Sequence, residues 1–157
     1  RIAALSAKIG TAMGLKEREL DDLHLFSMLH DIGKIGIRDE ILKKPAALTA
    51  EEWMEMKKHP EVGYRIASST PELASVAEYI LSHHERWDGQ GYPRGIAGEE
   101  MPLLARILAV ADAYDAMTED RVYRRGIAKD EAIAEIVCNA GTQFDPSVVE
   151  IFRKVIQ

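Results

Sequence analysis

The chain has 157 residues, 46% of them apolar and 29% charged, a balance typical of one globular domain rather than a membrane-spanning or disordered segment. Acidic residues outnumber basic ones by 26 to 20, which argues against general binding to DNA or RNA polymers. The single cysteine, Cys138, excludes an internal disulfide. Helical spacing of apolar residues starts at Ile2 with no initiator Met or capping residue before it, so we expect one domain, 1–157, cut from a longer protein.

The spacing of apolar residues predicts helices along nearly the whole chain. The first predicted helix ends near Gly14, and the second runs from about Glu17 to Asp31. Two glycines and a proline interrupt the connection at 33–48, where we expect at most one short helical turn.

The later helices are marked by capping and proline signals. Thr49 and Glu52 form a capping-box pattern, and the helix that they open should stop near His59, before Pro60. Further helices are predicted to start at Pro60, to run from Pro71 to the histidine pair, to cover 102–117 and 129–140, and to start at Asp145. No alternating strand pattern appears, so the predicted fold class is all-α.

Histidines and aspartates at predicted helix ends suggest a metal centre. Four of the five histidines lie beside proline or glycine loops: His30, His59, His83 and His84. Asp31 adjoins the first of them, and Asp112 lies on an apolar helix face, where an ionised carboxylate is costly unless a cation or several donors meet it. Six candidate ligands are too many for one tetrahedral zinc ion and suit two ions that share a bridge. The alternative is that they are unrelated caps and surface groups.

The motifs HDIGKIGIRDEIL, HHERWDGQGYPRG and ARILAVADAYDAMTEDRVYRR, in this order, resemble the HD-GYP domain of the HD phosphohydrolase superfamily. The resemblance covers nearly the whole chain. It implies a multi-helix HD-type bundle, with a metal centre at helix ends and a glycine-rich GYP loop. It also implies a bacterial phosphodiesterase that hydrolyses cyclic di-GMP to linear pGpG, GMP or both, as the output domain of a sensor or response regulator.

The resemblance implies two divalent ions, iron or manganese, and six ligands. Asp31 would bridge the ions, His30 and Asp112 would hold one, and His59, His83 and His84 would hold the other. A hydroxide between the ions would attack phosphorus. A histidine and a glutamate that the family has upstream of Arg1 lie outside this sequence, so a third ion and the activity of the fragment alone stay open.

Further residues are expected to meet the substrate. Lys34, one turn beyond His30, would neutralise phosphate charge or position the nucleophile, although an exposed loop lysine would look the same. The resemblance also implies contacts of the cyclic dinucleotide with four side chains, which are Tyr92, Arg121, Arg124 and Lys44. Trp87 is either a stacking or a packing residue.

Two rival functions remain open from the sequence. One is an HD phosphohydrolase that acts on another nucleotide, and the other is a weak or inactive module that binds cyclic di-GMP or a partner protein. The partners that we expect are an upstream sensor or receiver domain in the same chain, diguanylate cyclases and a second copy of the chain. We expect a cytoplasmic location, either free or as the cytoplasmic part of a membrane-anchored sensor.

Overall fold

The computed structural model describes residues 1–157 and contains helices but no sheet. Its α-helices are α1 (Ile2–Ala12), α2 (Glu17–Leu29), α3 (Asp39–Leu42), α4 (Ala50–Met56), α5 (His59–Ser68), α6 (Ala77–Ser82), α7 (Leu103–Thr118), α8 (Lys129–Cys138) and α9 (Pro146–Val155). Short 3-10 helices cover Ile32–Gly36, Pro71–Val76 and Gly98–Glu100. The all-α prediction is therefore confirmed. No helix combines the length and the apolarity that a membrane crossing requires.

Helix α7 is the centre of the hydrophobic core. It packs against α1, α2, α6, α8 and α9, and its residues Ile107 and Val110 are fully buried. The ring of Tyr114, on the same helix, packs edge-on against Phe152 of α9, with 5.4 Å between centroids. This core holds α2, α6 and α7 in a fixed relation, and those three helices carry five of the six predicted ligands on or directly after them.

A close backbone crossing brings α5 to the same place. A Cβ atom on Gly33 would collide with the carbonyl group of His59, and one on Gly63 would lie 2.7 Å from the Ile80 side chain. Glycine at position 33 lets the 3-10 turn after α2 lie directly on α5, and glycine at position 63 lets α6 pack closely against α5. The turn that follows Asp31 therefore meets the start of α5, where His59 lies.

The helix boundaries confirm most of the sequence reading and correct it in two places. Thr49 and Glu52 form the predicted capping box: the Thr49 hydroxyl accepts from the Glu52 amide at 3.2 Å, and the Glu52 carboxylate accepts from the Thr49 amide at 2.8 Å. The expectation of at most one helical turn over 33–48 is wrong, because both a 3-10 turn and α3 form there. Helix α4 ends at Met56, and His59 begins α5 instead of ending the helix before it.

A buried ion pair joins α7 to the start of α9. The Arg106 guanidinium donates to Asp145 at 2.7 Å and to the Met101 carbonyl at 3.0 Å. The other carboxylate oxygen of Asp145 accepts from the amide and the hydroxyl of Ser147, each at 2.8 Å, which caps α9 as predicted. Burial raises the pKa of Asp145, but Arg106 and Ser147 outweigh this effect and hold the pKa below its usual value.

Candidate metal centre

One group of side chains offers four metal-ligating atoms in a small volume. Asp31, His59, His83 and His84 each contribute one nitrogen or oxygen, and these atoms all lie within 4.8 Å of one another. Asp31 follows α2, His59 begins α5, and the histidine pair follows α6. At a helix end the backbone turns away, so the two adjacent rings reach the same point, which they would not do in mid-helix.

The two carboxylate oxygens of Asp31 face different neighbours. Oδ1 lies 3.3 Å from Nε2 of His59 and 3.4 Å from Nε2 of His83. Oδ2 lies 3.3 Å from Nε2 of His30 and 3.2 Å from Nζ of Lys34. Asp31 is therefore in contact with two separate sets of imidazoles, one on each oxygen.

Asp112 completes the group from α7. Its Oδ1 lies 4.0 Å from Nε2 of His30, so it belongs to the Oδ2 side of Asp31. The six predicted ligands thus surround one centre and are not dispersed caps. The fifth histidine, His24, is exposed on α2 away from them.

Three of the histidines are oriented in the same way. Each donates Nδ1–H to the carbonyl three residues earlier in the chain, and this fixes the ring and leaves Nε2 directed at the centre. The distances are 2.9 Å from His30 to Ser27, 2.7 Å from His59 to Met56 and 2.6 Å from His83 to Ile80. A neutral imidazole held in this way carries its lone pair on Nε2, the form that ligates a metal.

The Nε2 atoms are so close that they need a partner other than one another. Nε2 of His59 lies 3.2 Å from Nε2 of His83 and 3.1 Å from Nε2 of His84. If each Nδ1 carries the ring proton, these contacts set lone pair against lone pair. A divalent cation bound by these atoms would remove the repulsion, and imidazole with carboxylate suits iron, manganese or zinc. The cluster has the ligand chemistry of a divalent-metal site.

The electrostatics keep the paired histidines neutral. Burial lowers the pKa of His83. Burial, followed by the nearby charges of His83 and His59, lowers the pKa of His84 to about 2. Both rings are therefore neutral near pH 7, as metal ligation requires.

The two carboxylates of the cluster respond differently to burial. Burial raises the pKa of Asp31, but its contacts with His30, His59 and His83 outweigh this effect and hold the pKa far below its usual value. Asp112 has fewer partners, so burial dominates and raises its pKa. Burial lowers the pKa of His30, but the two carboxylates outweigh it and raise the pKa. A cation would compensate the buried charge of Asp112 that the protein leaves largely unpaired.

The glycine-rich loop folds back over the histidine pair. The Tyr92 amide donates to the His84 carbonyl at 3.2 Å, and the Tyr92 ring lies parallel to the His84 ring with 4.9 Å between centroids. A Cβ atom on Gly91 would lie 2.5 Å from the Arg86 amide nitrogen and from the His84 carbonyl oxygen, so only glycine allows this approach. The loop thus places an aromatic wall against one side of the cluster.

Glu85 holds the other end of this loop, a role that the sequence reading did not assign. Its buried Oε1 accepts from the Arg94 amide at 2.7 Å, and the Arg94 guanidinium donates to the Ser82 hydroxyl at 2.7 Å. The only sequence signal for this role is that Glu85 directly follows the two candidate ligands His83 and His84. Glu85 fastens the loop to the turn that carries the histidines.

Two further residues that the sequence reading missed are Trp53 on α4 and Lys57, the residue that directly follows this helix. The Trp53 ring meets the Tyr92 ring edge-on with 6.3 Å between centroids, and Nζ of Lys57 lies 5.0 Å from the Tyr92 centroid. Their spacing of four residues just before Pro60 predicts that they share one helix face. What the sequence could not indicate is that this face would meet the GYP loop.

The remaining predicted substrate residues lie outside the histidine cluster. Lys44 pairs with Glu52 at 2.6 Å and lines an apolar groove of about 420 Å³ together with Tyr123. Arg121 and Arg124 are joined by an isolated backbone bridge on either side of Tyr123, and both are exposed. Neither arginine makes an ion pair or a hydrogen bond with the cluster. Trp87 packs beneath the Arg106 guanidinium, whose central carbon lies 5.9 Å from the centroid of the Trp87 ring.

The comparison with protein families agrees with this geometry. The model described as "HD domain" matches residues 1–148. The chain belongs to the HD domain family. Membership of the HD superfamily, which the sequence motifs predicted, is thereby confirmed.

Relatives of known name cover the HD domain chain almost from end to end. A protein of Thermotoga maritima named cyclic di-GMP phosphodiesterase is 46% identical over 99% of this chain. A protein of Vibrio cholerae named 3'3'-cGAMP-specific phosphodiesterase 2 is 39% identical over 96% of it. The chain spans 43% of the first relative and 29% of the second.

A solved structure has the same fold. The crystal structure of a cyclic GMP-AMP specific phosphodiesterase of V. cholerae, V-cGAP3, superimposes with a TM-score of 0.77 at 24% identity. The match covers 99% of this chain and 42% of the other. The predicted HD-type helical bundle is confirmed.

Proposed function

We propose that this domain hydrolyses the phosphodiester bonds of cyclic di-GMP with the help of two divalent ions, iron or manganese. The observation that carries the proposal is the division of Asp31, whose two oxygens face two different sets of imidazoles. A carboxylate in that position suits a bridge between two ions. The name of the Thermotoga maritima relative supports the substrate.

The proposed ligands follow the contacts of the two Asp31 oxygens. Asp31 would bridge the two ions, His30 and Asp112 would hold one of them, and His59, His83 and His84 would hold the other. When bound, such a pair of ions supplies Lewis acidity and lowers the pKa of water at the site. A third ion belongs to the proposal only for a longer chain with further ligands.

The other residues bind and orient the substrate. Lys34, 3.2 Å from Asp31, is placed to neutralise phosphate charge beside the ions. Tyr92 covers the His84 side of the cluster and keeps bulk water from it. Lys44 and Tyr123 line an apolar groove that is large enough for a purine base. Arg121 and Arg124 lie close to Tyr123 in the chain, and we assign these three cationic side chains to a guanine and its phosphate.

The test uses the full-length protein, purified without oxygen. Bound iron and manganese are measured, and the conversion of cyclic di-GMP is followed by chromatography. We expect about two metal ions per domain and turnover, both abolished by Asp31→Ala and His30→Ala and retained in the exposed His24→Ala control. Full metal occupancy without turnover in the wild type would instead favour a binding module.

A second substrate deserves a place in the same assay. The Vibrio cholerae relative named for 3'3'-cGAMP makes a mixed cyclic dinucleotide the competing candidate. Equal concentrations of the two substrates, followed together, give the ratio of their kcat/KM values. We expect kcat/KM to be higher for cyclic di-GMP. A higher kcat/KM for the mixed dinucleotide would assign the domain to that substrate.

The proposal extends to a longer protein. Because the chain spans less than half of these relatives, we propose that a sensor or receiver domain in the same chain controls access to the site. Association with diguanylate cyclases or with a second copy of the chain belongs to the same proposal, as does a cytoplasmic location.

A further inference from the structure

A large aromatic side chain is left in water next to the metal centre. Trp53 is 47% exposed and does not belong to the hydrophobic core cluster. An indole buries much apolar surface when it packs into a core, so an exposed one beside a site is a candidate for ligand contact. Its position on α4, three residues before the end of that helix, brings it to the rim of the site.

The Trp53 indole contacts Tyr92, which in turn stacks on the candidate ligand His84. Trp53 meets Tyr92 at an interplanar angle of 79°, and Tyr92 lies on His84 at 14°. The contact with Tyr92 is edge-on, and the indole, 47% exposed, retains surface for another flat group. Two ring contacts therefore separate the indole from a candidate metal ligand.

Lys57 supplies an unpaired positive charge beside the same rings. Its ammonium lies 5.0 Å from the Tyr92 centroid, and no carboxylate lies within 4.0 Å of it. Lys34 and Lys44, by contrast, each have an acidic partner, Asp31 and Glu52. In a chain of net charge −6, a lysine without an acidic neighbour at the rim of a polar site is suited to an incoming anion.

We propose that Trp53 and Lys57 form a nucleotide subsite at the C-terminal end of α4, in which the indole stacks a guanine base and the ammonium contacts a phosphate of the same substrate. The inference rests on the proposed hydrolysis of cyclic di-GMP and adds two specificity-determining residues to it. Both residues lie on one helix face, so a base and a phosphate of one ligand can reach them together.

The kinetic test compares a substrate with purines and one without. Trp53→Ala is assayed with cyclic di-GMP and with bis(p-nitrophenyl) phosphate, which has the diester but no base. Since stacking of one base on an aromatic ring is worth about 5-fold to 100-fold in affinity, we expect kcat/KM for cyclic di-GMP to fall at least tenfold more than kcat/KM for the nitrophenyl diester, mainly through KM. Met54→Ala, an exposed apolar neighbour on α4, is the matched control and should change neither.

Lys57 is tested by the loss of its charge alone. Lys57→Met keeps most of the stem, and we expect about a fivefold higher KM for cyclic di-GMP together with a weaker dependence of KM on salt. Lys58→Met, the exposed next residue, is the matched control. An unchanged KM and salt dependence in Lys57→Met would remove Lys57 from the subsite.

Fluorescence gives a readout that does not depend on turnover. The chain has two tryptophans, so Trp87→Phe leaves Trp53 as the only indole. We expect rapid quenching when this variant is mixed with cyclic di-GMP in a stopped-flow instrument, and no such phase in Trp53→Phe. Quenching that persists in Trp53→Phe would overturn the assignment of the stacking residue.

The outcomes separate this inference from the proposed function. If the wild type cleaves the nitrophenyl diester but neither cleaves nor binds cyclic di-GMP, the substrate assignment fails and the subsite fails with it. If the wild type turns over cyclic di-GMP and Trp53→Ala loses both substrates equally, Trp53 only supports Tyr92, and the subsite alone is refuted.

Discussion

This protein has two sets of buried polar side chains, and they differ in whether the protein itself supplies their partners. In the pair that joins α7 to α9, Arg106 and Asp145 have partners in the protein for their charges and hydrogen bonds. In the histidine cluster, Nε2 atoms and carboxylate oxygens face one another, and Lys34 is the only cationic side chain of the protein in contact with it. The first group is satisfied by protein partners alone, whereas the second offers its nitrogen and oxygen atoms to a divalent cation. A buried polar group that lacks protein partners calls for an explanation such as a bound ion, whereas removing one partner of a completed buried pair leaves an uncompensated charge and destabilises the fold.

The largest expected effect tests whether the cluster is built for function. We expect Asp31→Ala to lower kcat/KM for cyclic di-GMP by about 1000-fold or more, which corresponds to about 4 kcal/mol in the activation barrier, because the proposed bridge is lost. Metal content measured by mass spectrometry should fall in parallel. Asp39→Ala, which removes an exposed carboxylate paired with Lys43, should behave as the wild type. Retained metal and activity in Asp31→Ala would place the site elsewhere.

The second prediction tests the ion pair between Arg106 and Asp145. Asp145→Asn keeps a capping side chain for α9 but leaves Arg106 buried without its counter-charge, so we expect the free energy of unfolding at pH 7 to fall by about 3 kcal/mol. Urea denaturation measures it. Asp130→Asn, in the exposed first turn of α8, is the control and should cost less than about 0.5 kcal/mol.

The difference in free energy of unfolding between the wild type and Asp145→Asn should depend on pH in one direction. Because the pKa of Asp145 is lowered on folding, its stabilisation is present above the unfolded pKa of about 3.9 and is lost as the pH falls through the folded value. The wild type should therefore lose its advantage in free energy of unfolding over Asp145→Asn only below about pH 4. A gap that narrows between pH 7 and pH 5 would mean that another group is responsible.

The third prediction compares the two regions by metal binding. Manganese at 100 times its dissociation constant should stabilise the wild type by about 2.7 kcal/mol, because the folded cluster binds it and the unfolded chain does not. Thermal unfolding with and without chelator measures the shift. We expect the shift to persist in Asp145→Asn and to vanish in His59→Ala. An equal shift in His59→Ala would contradict a cation held between the Nε2 atoms.

The smallest expected effect concerns the loop that covers the cluster. Glu85→Ala removes the acceptor of the Arg94 amide, and we expect kcat/KM to fall about tenfold, about 1.4 kcal/mol, with faster hydrogen exchange at that amide. Glu85→Gln keeps an acceptor oxygen and should recover most of the activity. If Glu85→Gln is as impaired as Glu85→Ala, the charge of Glu85 matters and not its hydrogen bond.

The sequence predicted the parts of the fold that depend on neighbouring residues. The capping box at Thr49, the cap at Asp145 and the period of α7 are local patterns, and each appears where expected. One boundary failed in the segment after Asp31, because a stretch with two glycines has weak local preferences that tertiary packing overrides. The other failed at His59, which begins α5 although the residue before a proline is usually not helical.

The residue types and their placement at helix ends indicated a metal centre, and the family resemblance named its six members. What only the tertiary structure decided is that the two oxygens of Asp31 face different imidazoles and that Trp53 and Lys57 meet the GYP loop. These contacts join segments that lie tens of residues apart in the chain, and their geometry follows from how α2, α4, α5 and α6 pack. Local preferences act over a few residues, so a sequence can specify which side chains a helix presents, while packing alone sets what they meet.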